Sequence, residues 1–330
     1  ENPMRHVTNG VHVQTFLAHE WLNLYDMRFG MEWRNELINE EYWERIEEIP
    51  DHSFWSLRQS LKSELLNYVR RRLVLQLRRN RCGEAQIDRI TRFLSPHEAD
   101  ILTIGFARRF ATYKRADLLL GDIDRLASLL SDPAHPVQII FSGKAHPADD
   151  PGKRILQRIY NASRDPEMGG RIAFVEDYGE QLAQYLVHGV DVWLNNPLPP
   201  MEASGTSGMK AALNAIPQLS TLDGWWVEGY TGLNGWAIPL STGSPDPDAA
   251  DAENLYDILE KEIVPIFYDR DREGLPREWL KRMKHALHEA GAHFTAARMV
   301  REYVQDYYHP AFRGEIGGDD PPVGLPGSDL

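Results

Sequence analysis

The spacing of apolar residues divides the chain into a helical segment, a segment of alternating strands and helices, and a second helical segment. Over residues 16–80, apolar side chains recur every three or four positions, as expected for helices with one buried face. The clearest stripe consists of Phe54, Leu57, Leu61, Leu65, Val69 and Leu73. Arginines between such positions belong to a solvated helix face rather than to an anion-binding patch: Arg70, Arg71, Arg72, Arg78, Arg79 and Arg81.

From residue 100 onward, short apolar runs alternate with helical patterns. Four runs are typical of buried strands: residues 101–106, 137–141, 172–175 and 190–194. Helical patterns lie between them near residues 114–131, 150–164 and 179–188. This alternation predicts right-handed βαβ units and a Rossmann-like parallel sheet with helices on both faces, an α/β fold. Ligands of such sheets bind beyond the carboxyl ends of the strands, so the loops there are the candidate site.

Helical spacing returns over residues 253–308. Two stripes are predicted to lie in the core, one with Trp279, Met283 and Leu287 and the other with Met299, Val300 and Tyr303. The Gly-, Pro- and Asp-rich tail from Arg313 is predicted to be mobile. The expected organisation is a helical lead-in (1–95), a Rossmann-like cofactor- and phosphate-binding core (96–245), C-terminal helices (246–312) and the tail (313–330).

Composition narrows the functional classes. The net charge of −13, from 49 acidic and 36 basic residues, argues against nucleic acid as a partner. No apolar run approaches the ~20 residues of a membrane span. The lone Cys82 and the absence of a recognisable secretion signal favour the cytoplasm. The chain opens at Glu1 without an initiator methionine, and we expect it to be part of something longer.

The most informative segment is Met201-Glu-Ala-Ser-Gly-Thr-Ser-Gly-Met-Lys210, with a helix expected to start near Ser207. Small residues let a backbone approach a ligand closely, and the N–H groups of a helix start favour an anion. Lys210 is expected in the first helical turn, beside that anion. An ordinary helix N-cap explains the same composition, and the segment does not match the loop that binds nucleoside triphosphates.

A second cluster, Gly105-Phe-Ala-Arg-Arg-Phe-Ala-Thr-Tyr-Lys-Arg115, follows a predicted strand. Its cations Arg108, Arg109, Lys114 and Arg115 are expected to gather at the ligand-binding edge and to hold an anion. The alternative is a basic loop paired with surface carboxylates. Three further polar loops are weaker candidates: residues 6–12, 143–147 and 221–230.

Together these residues resemble the α-glucan (glycogen, starch and maltodextrin) phosphorylases, especially the bacterial branch. Residues 202–210 are similar to the segment of the family that binds pyridoxal phosphate, and 109–114 to its phosphate-binding run. Thr8-Asn-Gly10, Gly143-Lys-Ala145, Tyr178 and Leu222-Asp-Gly224 recur in the family's order. Two departures stand out: Arg108 replaces a common lysine, and Ser207-Gly208 replaces the commoner Gly-Asn.

The resemblance implies a role for each matched residue. Lys210 would attach pyridoxal 5′-phosphate covalently, Thr206, Ser207, Gly208 and Arg108 would surround its phosphate, and Tyr178 would lie near its ring. Arg109 and Lys114 would hold inorganic phosphate or the phosphate of glucose 1-phosphate. The glucosyl hydroxyls would bind Asn9, Tyr113, Glu202, Ser204 and Gly205. No metal is implied.

The implied reaction is reversible phosphorolysis of an α-1,4-glucan or maltodextrin end, which releases glucose 1-phosphate. The family's architecture has two Rossmann-like (GT-B type) domains, and this chain resembles only the second. The resemblance therefore implies a missing N-terminal domain as partner. Without that domain the chain is expected to lack activity. The resemblance is also compatible with a homodimer. The alternatives are a domain of a glycosyltransferase that uses a nucleotide-sugar, and a non-catalytic glucan-binding module.

Overall fold

One parallel sheet organises the chain, of which the computed structural model describes residues 6–314. Its six strands are β1 Leu102–Ala107, β2 Val137–Ser142, β3 Ile172–Val175, β4 Val192–Asn195, β5 Gln218–Thr221 and β6 Gly235–Ile238. They lie in the order β3-β2-β1-β4-β5-β6, and every neighbouring pair is parallel. The chain thus builds the sheet outward from β1, then returns to lay β4 on the other side of β1. Ligands of such sheets bind at this point of reversal.

The helices connect and cover the strands. The first group contains α1 Val13–Phe16, α2 His19–Phe29, α3 Glu40–Glu44, α4 Asp51–Arg79 and α5 Glu84–Thr91. The second contains α6 Ile123–Ser131, α7 Asp150–Arg164, α8 Glu180–Gly189, α9 Thr206–Leu213 and α10 Trp226–Gly229. The third contains α11 Pro247–Ile258, α12 Val264–Tyr268, α13 Arg277–His293, α14 Ala296–Tyr303 and α15 His309–Phe312. Within residues 6–314, no helix combines the length and the apolar character needed to cross a bilayer.

Alternate residues of the central strands enter two separate apolar clusters. Ile104 and Phe141 belong to one cluster, whereas Ile140 and Trp193 belong to the other. Both faces of the sheet are therefore buried, which explains why these strands are mostly apolar instead of alternating between apolar and polar positions. The predicted parallel sheet with helices on both faces is confirmed.

The four predicted strands are present within two residues of their expected limits, but β5 and β6 were not predicted. Strand β5 is only four residues long, and three of them are polar and buried. Two of these side chains donate to backbone carbonyls: Gln218 Nε2 to that of Ile216 at 2.9 Å and Thr221 Oγ1 to that of Pro197 at 2.9 Å. A search for apolar runs misses such a strand.

The predicted helices at 150–164 and 179–188 are confirmed by α7 and α8. The prediction at 114–131 was wrong in its first half. There the chain forms short 3₁₀ turns at Thr112–Lys114 and Leu118–Gly121, and α6 begins only at Ile123. The side chain of Asp122 accepts a hydrogen bond from the backbone N–H of Arg125 and caps the helix start.

The two C-terminal stripes behave differently. Trp279, Met283 and Leu287 are fully buried, as predicted. The prediction for the other stripe was wrong, because Val300 is 54% exposed and its neighbours on α14 are only half-buried. Within the described residues, the buried residue of α14 is Arg298, so this helix uses its polar face to contact the remainder of the chain. Most of the predicted mobile tail lies outside the described residues.

A buried ion cluster joins α4 to the amino ends of two strands. Lys62 and Arg58 of α4 and Asp191, which precedes β4, are each about 2% exposed or less. Lys62 Nζ donates to the carboxylate of Asp191 and, at 2.6 Å, to the carbonyl of Ile101. Asp191 also accepts from the backbone N–H of Thr103 at 2.8 Å. The cluster fixes where the lead-in helix sits on the sheet.

Candidate active site

The candidate site lies at the carboxyl ends of β1 and β4, at the reversal point of the strand order. The basic loop 108–115 follows β1, and the loop 196–205 follows β4 and leads into α9. The backbone N–H of Leu198 donates to the carbonyl of Tyr113 at 2.7 Å and joins the two loops. The topology therefore brings the two best sequence candidates to one place.

Helix α9 begins at Thr206, one residue earlier than predicted. Lys210 therefore lies just beyond the first turn and not within it, which corrects the expectation. Gly205 stands at the helix cap with φ +84°, a left-handed conformation that favours glycine. The backbone N–H of Trp225 donates to the carbonyl of Ser204 at 2.8 Å and ties this turn to the loop after β5.

Gly208 is required by close packing on the buried side of α9. A Cβ at this position would lie 2.8 Å from Gln218 Oε1 and 2.8 Å from Trp225 Nε1. Gly208→Ala should therefore lower the free energy of unfolding by about 1–3 kcal/mol, in spite of the better helix propensity of alanine. Denaturant titration measures this. Gly121→Ala is the matched control, because its Cβ would meet its nearest atom at 4.0 Å. Equal stability of both variants would contradict the packing argument.

Lys210 lines a cavity of about 290 Å³, near the lower end of the volumes of small-molecule pockets. Its other lining residues are Thr15, Phe16, Tyr178, Glu180, Ala183, Gln184, Val187 and Ser207. The amine Nζ lies 4.0 Å from the centroid of the Phe16 ring. Partial burial lowers the pKa of Lys210 below its usual value, because the charged amine loses hydration. Lower pKa means more neutral, nucleophilic amine at a given pH.

Arg108 is buried and incompletely satisfied. Its Nη2 donates to Glu202 Oε2 at 2.7 Å, whereas Nε and Nη1 have no hydrogen-bond partner among residues 6–314. Burial lowers the pKa of Arg108, and the charge of Glu202 opposes that shift. Burial also raises the pKa of Tyr178, opposed by the positive charge of Arg108. A buried guanidinium with two unpartnered nitrogens needs an acceptor, and an anion supplies one.

Glu202 joins the two basic groups of the site. Its carboxylate accepts from both Arg108 and Lys114, and its side chain is only 9% exposed. Its backbone N–H donates to Asp223 Oδ2 at 2.8 Å. Asp223 also accepts from the backbone N–H of Gly224 at 2.9 Å, so it positions the loop that carries Glu202. The three charges of Glu202, Arg108 and Lys114 leave one net positive charge.

The predicted cluster of four cations needs a correction at Arg115. This side chain is buried and pairs with Asp251 at 2.6 Å and Asp248 at 3.0 Å, and its Nε donates to the carbonyl of Asn196. Arg115 therefore stabilises the loop through buried contacts, and its charge is not available to bind a ligand. Arg109, by contrast, is exposed, and its Nη2 lies 3.5 Å from the hydroxyl of Tyr113.

The N-terminal segment reaches the site through Asn9, whose Nδ2 donates to Ser204 Oγ at 3.0 Å. Arg298 of α14 holds this segment, because its Nη2 donates to the carbonyls of Thr8 and Asn9 at 2.8 and 3.1 Å. Asn9, Ser204 and Glu202 thus lie on neighbouring parts of one surface, with Gly205 next to Ser204 in the chain. His12 is engaged locally with Thr15 Oγ1 at 2.8 Å.

Sequence reasoning missed Phe16 and Asn214, and it assigned no role to Asp223 although it noted the motif that contains this residue. Phe16 of α1 faces the amine of Lys210. Asn214 and Asp223 are buried, and their side chains form hydrogen bonds with the backbone of Phe16 and Glu202, respectively. Phe16 begins the first helical segment, but its distance along the chain from Lys210 hides the contact. Asp223 belongs to the Leu222-Asp-Gly224 motif, where a carboxylate between an apolar residue and a glycine could have been recognised as a loop anchor.

Comparison of the sequence with known proteins identifies a family and several relatives. A family model described as carbohydrate phosphorylase matches residues 2–231. A glycogen phosphorylase of Aquifex aeolicus is 45% identical over 315 residues, which are 96% of this chain and 45% of that protein. A maltodextrin phosphorylase of Thermococcus litoralis is 42% identical over 96% of this chain and 37% of its own length. A glycogen phosphorylase of Mycobacterium tuberculosis is 43% identical over 94% of this chain and 36% of its own length.

The chain spans less than half the length of these relatives. The family match covers the whole candidate site, from the Asn9 segment through the loop of Asp223. Strands β1 to β5, the two convergent loops and the lysine on α9 lie within the matched region. This chain belongs to the carbohydrate phosphorylase family.

Proposed function

We propose that this chain is the cofactor-binding part of a cytoplasmic α-1,4-glucan phosphorylase, which converts a glucan or maltodextrin end and inorganic phosphate into glucose 1-phosphate. One observation carries the proposal: a half-buried lysine with a lowered pKa lines a small cavity beside Tyr178 and Ser207. A lysine in that setting is suited to capture an aldehyde. The names of the relatives are consistent with this assignment.

The residues around the cavity fit pyridoxal 5′-phosphate. Lys210 offers the amine, Tyr178 an aromatic side chain, and Arg108 the unpartnered N–H groups that a phosphate can satisfy. Thr206, Ser207 and Gly208 form the first turn of α9, where backbone N–H groups favour an anion. When bound, the cofactor would supply a phosphate group that takes part in proton transfer.

Substrate phosphate would bind Arg109 and Lys114. Two phosphate groups at close range repel each other by several kcal/mol at an effective dielectric constant of about 20. The cations of loop 108–115 offset that repulsion, which is the physical reason for concentrating basic residues in an acidic protein. The carboxylate pair of ordinary glycoside hydrolysis is not needed, because the substrate phosphate itself delivers the proton to the glycosidic oxygen.

Glucosyl hydroxyls would bind Asn9, Tyr113, Glu202, Ser204 and Gly205. The carboxylate of Glu202 pairs with Arg108 and Lys114. If this side chain rotates toward a sugar hydroxyl, both cations become available to bind phosphate. Sugar and phosphate would then favour each other's binding. An N-terminal domain, which the resemblance implies, would complete the site, and the relatives are long enough to contain a further domain. A homodimer is compatible with the proposal.

Borohydride reduction tests the assignment of Lys210. The chain is incubated with one equivalent of pyridoxal phosphate, reduced, digested and mapped by mass spectrometry. The adduct is expected on Lys210 and is expected to disappear in Lys210→Arg, which keeps the charge. Lys144, exposed at the same edge of the sheet, is the internal control and should remain unmodified. A label distributed equally over surface lysines would refute the proposal.

The isolated chain is expected to bind the cofactor without releasing glucose 1-phosphate from glucan and phosphate, because substrate would be contacted from one side only. A coupled assay for glucose 1-phosphate measures this. Turnover by the cofactor-loaded chain would show that the contacts of a second domain are dispensable.

Capture of the aldehyde should also depend on pH in a defined direction. Since burial lowers the pKa of Lys210, its neutral form accumulates below the pH at which an ordinary lysine loses its proton. The rate of adduct formation at Lys210 should therefore rise with pH and level off at a lower pH than for Nα-acetyl-lysine, an exposed reference amine. Stopped-flow absorbance follows adduct formation, and Lys210→Arg gives the background from the other lysines. Coincident profiles would contradict the burial argument.

A further inference from the structure

We infer that Asn214 is a positioning residue that fixes Phe16 against the amine of Lys210 and so shapes the cofactor cavity. The inference rests on the proposed function, since it concerns the same lysine. Asn214 follows Lys210 by four residues and lies directly after α9. It is fully buried, and it contacts both the helix of Lys210 and the segment that carries Phe16.

The amide of Asn214 is saturated by these two segments. Its Nδ2 donates to the carbonyl of Phe16 at 2.7 Å and to the carbonyl of Lys210 at 2.8 Å. Its Oδ1 accepts from the backbone N–H of Ala18 at 2.8 Å. One side chain thus ties together backbone groups that are almost two hundred residues apart in sequence.

Only an amide of this length meets all three partners. Aspartate would turn both carbonyl contacts into contacts between acceptors, and leucine would remove the side-chain hydrogen bonds to all three backbone groups. The carbonyl of Phe16 has a second partner in His188 Nε2, at 3.0 Å. Burial lowers the pKa of His188, which favours the neutral ring that donates through Nε2. His188 therefore supports the same carbonyl from α8.

The hydrogen bonds of Asn214 to the backbone of Phe16 and Ala18 matter because helix α1 has little stability of its own. This helix is four residues long and lacks a side-chain cap. Helices so short are unstable in isolation, so tertiary contacts decide where α1 lies. The contacts at Phe16 and Ala18 place the ring of Phe16 with its centroid 4.0 Å from Lys210 Nζ, as part of the cavity wall.

Burial lowers the pKa of Lys210, and the ring of Phe16 forms part of the wall that buries the amine. If Asn214 releases α1, the amine gains hydration and its pKa moves up toward the ordinary lysine value. At neutral pH the neutral fraction of the amine then falls. The cavity also loses one wall, so the cofactor should bind more weakly.

The experiment compares Asn214→Leu and Asn214→Asp with wild type in two measurements. Competitive labelling with acetic anhydride gives the pKa of Lys210 without any cofactor, and fluorescence titration gives the affinity for pyridoxal phosphate. We expect the pKa of Lys210 to rise in both variants and the affinity to fall about tenfold. Asn234→Leu is the matched control, because Asn234 is equally buried and binds two backbone groups, the carbonyl of Gly229 and the N–H of Thr231. It should lower stability but leave the pKa of Lys210 unchanged.

Phe16→Ala tests the same contact if the variants of Asn214 do not fold, and it should raise the pKa of Lys210 in the same direction. Folded variants of Asn214 with an unchanged pKa and unchanged affinity would overturn the inference. So would an equal pKa change in Asn234→Leu. If wild type itself captures no cofactor at Lys210, the proposed function fails, whereas the labelling experiment still decides whether Asn214 positions Phe16.

Discussion

Asp191→Ala is expected to lower the free energy of unfolding by about 3–5 kcal/mol, the cost of breaking a buried ion pair from one side. The carboxylate is 2% exposed and faces Lys62 and Arg58, which are equally buried. Without it, two cations remain in the interior. The backbone N–H of Thr103 also loses its acceptor at 2.8 Å.

Lys62→Met should cost less than Asp191→Ala. The remaining carboxylate would keep Arg58 at 3.9 Å and the N–H of Thr103, while methionine fills the space of the lysine stem. Urea titration of both variants measures which of them loses more free energy of unfolding. Glu278→Ala removes an exposed pair with Lys281 and should change stability by no more than about 0.5 kcal/mol. A loss in Asp191→Ala as small as in this control would show that the cluster does not anchor α4.

Glu202→Gln is expected to raise the affinity of the chain for inorganic phosphate about tenfold. Glu202 neutralises part of the charge of Arg108 and Lys114, the groups that phosphate needs. Glutamine keeps the shape and removes the negative charge, so the anion no longer competes with a carboxylate for the same cations. A tenfold change corresponds to about 1.4 kcal/mol, well below the ~4 kcal/mol of an unscreened charge pair at 4 Å and an effective dielectric constant of 20.

Isothermal titration with phosphate at constant ionic strength measures this effect. Glu228→Gln is the control, since Glu228 lies on α10 and accepts from Thr8 Oγ1 at 2.7 Å. It should leave phosphate affinity unchanged. An unchanged or weakened affinity in Glu202→Gln would mean that Glu202 orients the two cations instead of competing for them. In a complete phosphorylase, the same variant should bind the glucosyl group less well, because the amide accepts fewer hydrogen bonds.

The sequence alone was sufficient to predict the alternation of strands and helices and the position of the site loops after β1 and β4. Long, mostly apolar runs such as 101–106 are recognisable because both faces of the sheet are covered, so both faces of each strand favour apolar residues. The short polar strand β5 and the exposed stripe of α14 were not recognisable in this way. In both, burial depends on neighbours that are distant in sequence, such as the carbonyl of Pro197 for Thr221.

In the candidate site, too, the local sequence predicts some features and only the tertiary structure decides others. The order of small and basic residues in 201–210 and 108–115 determines which groups are present, because loop chemistry and helix caps are local properties. Only the tertiary structure decided how they pair: Glu202 binds Arg108 and Lys114, Arg115 turns to Asp251, and Phe16 meets Lys210. These contacts join segments tens to hundreds of residues apart. Burial and electrostatic pairing between such segments arise only when the sheet closes, so a local pattern determines the groups and the fold determines their partners.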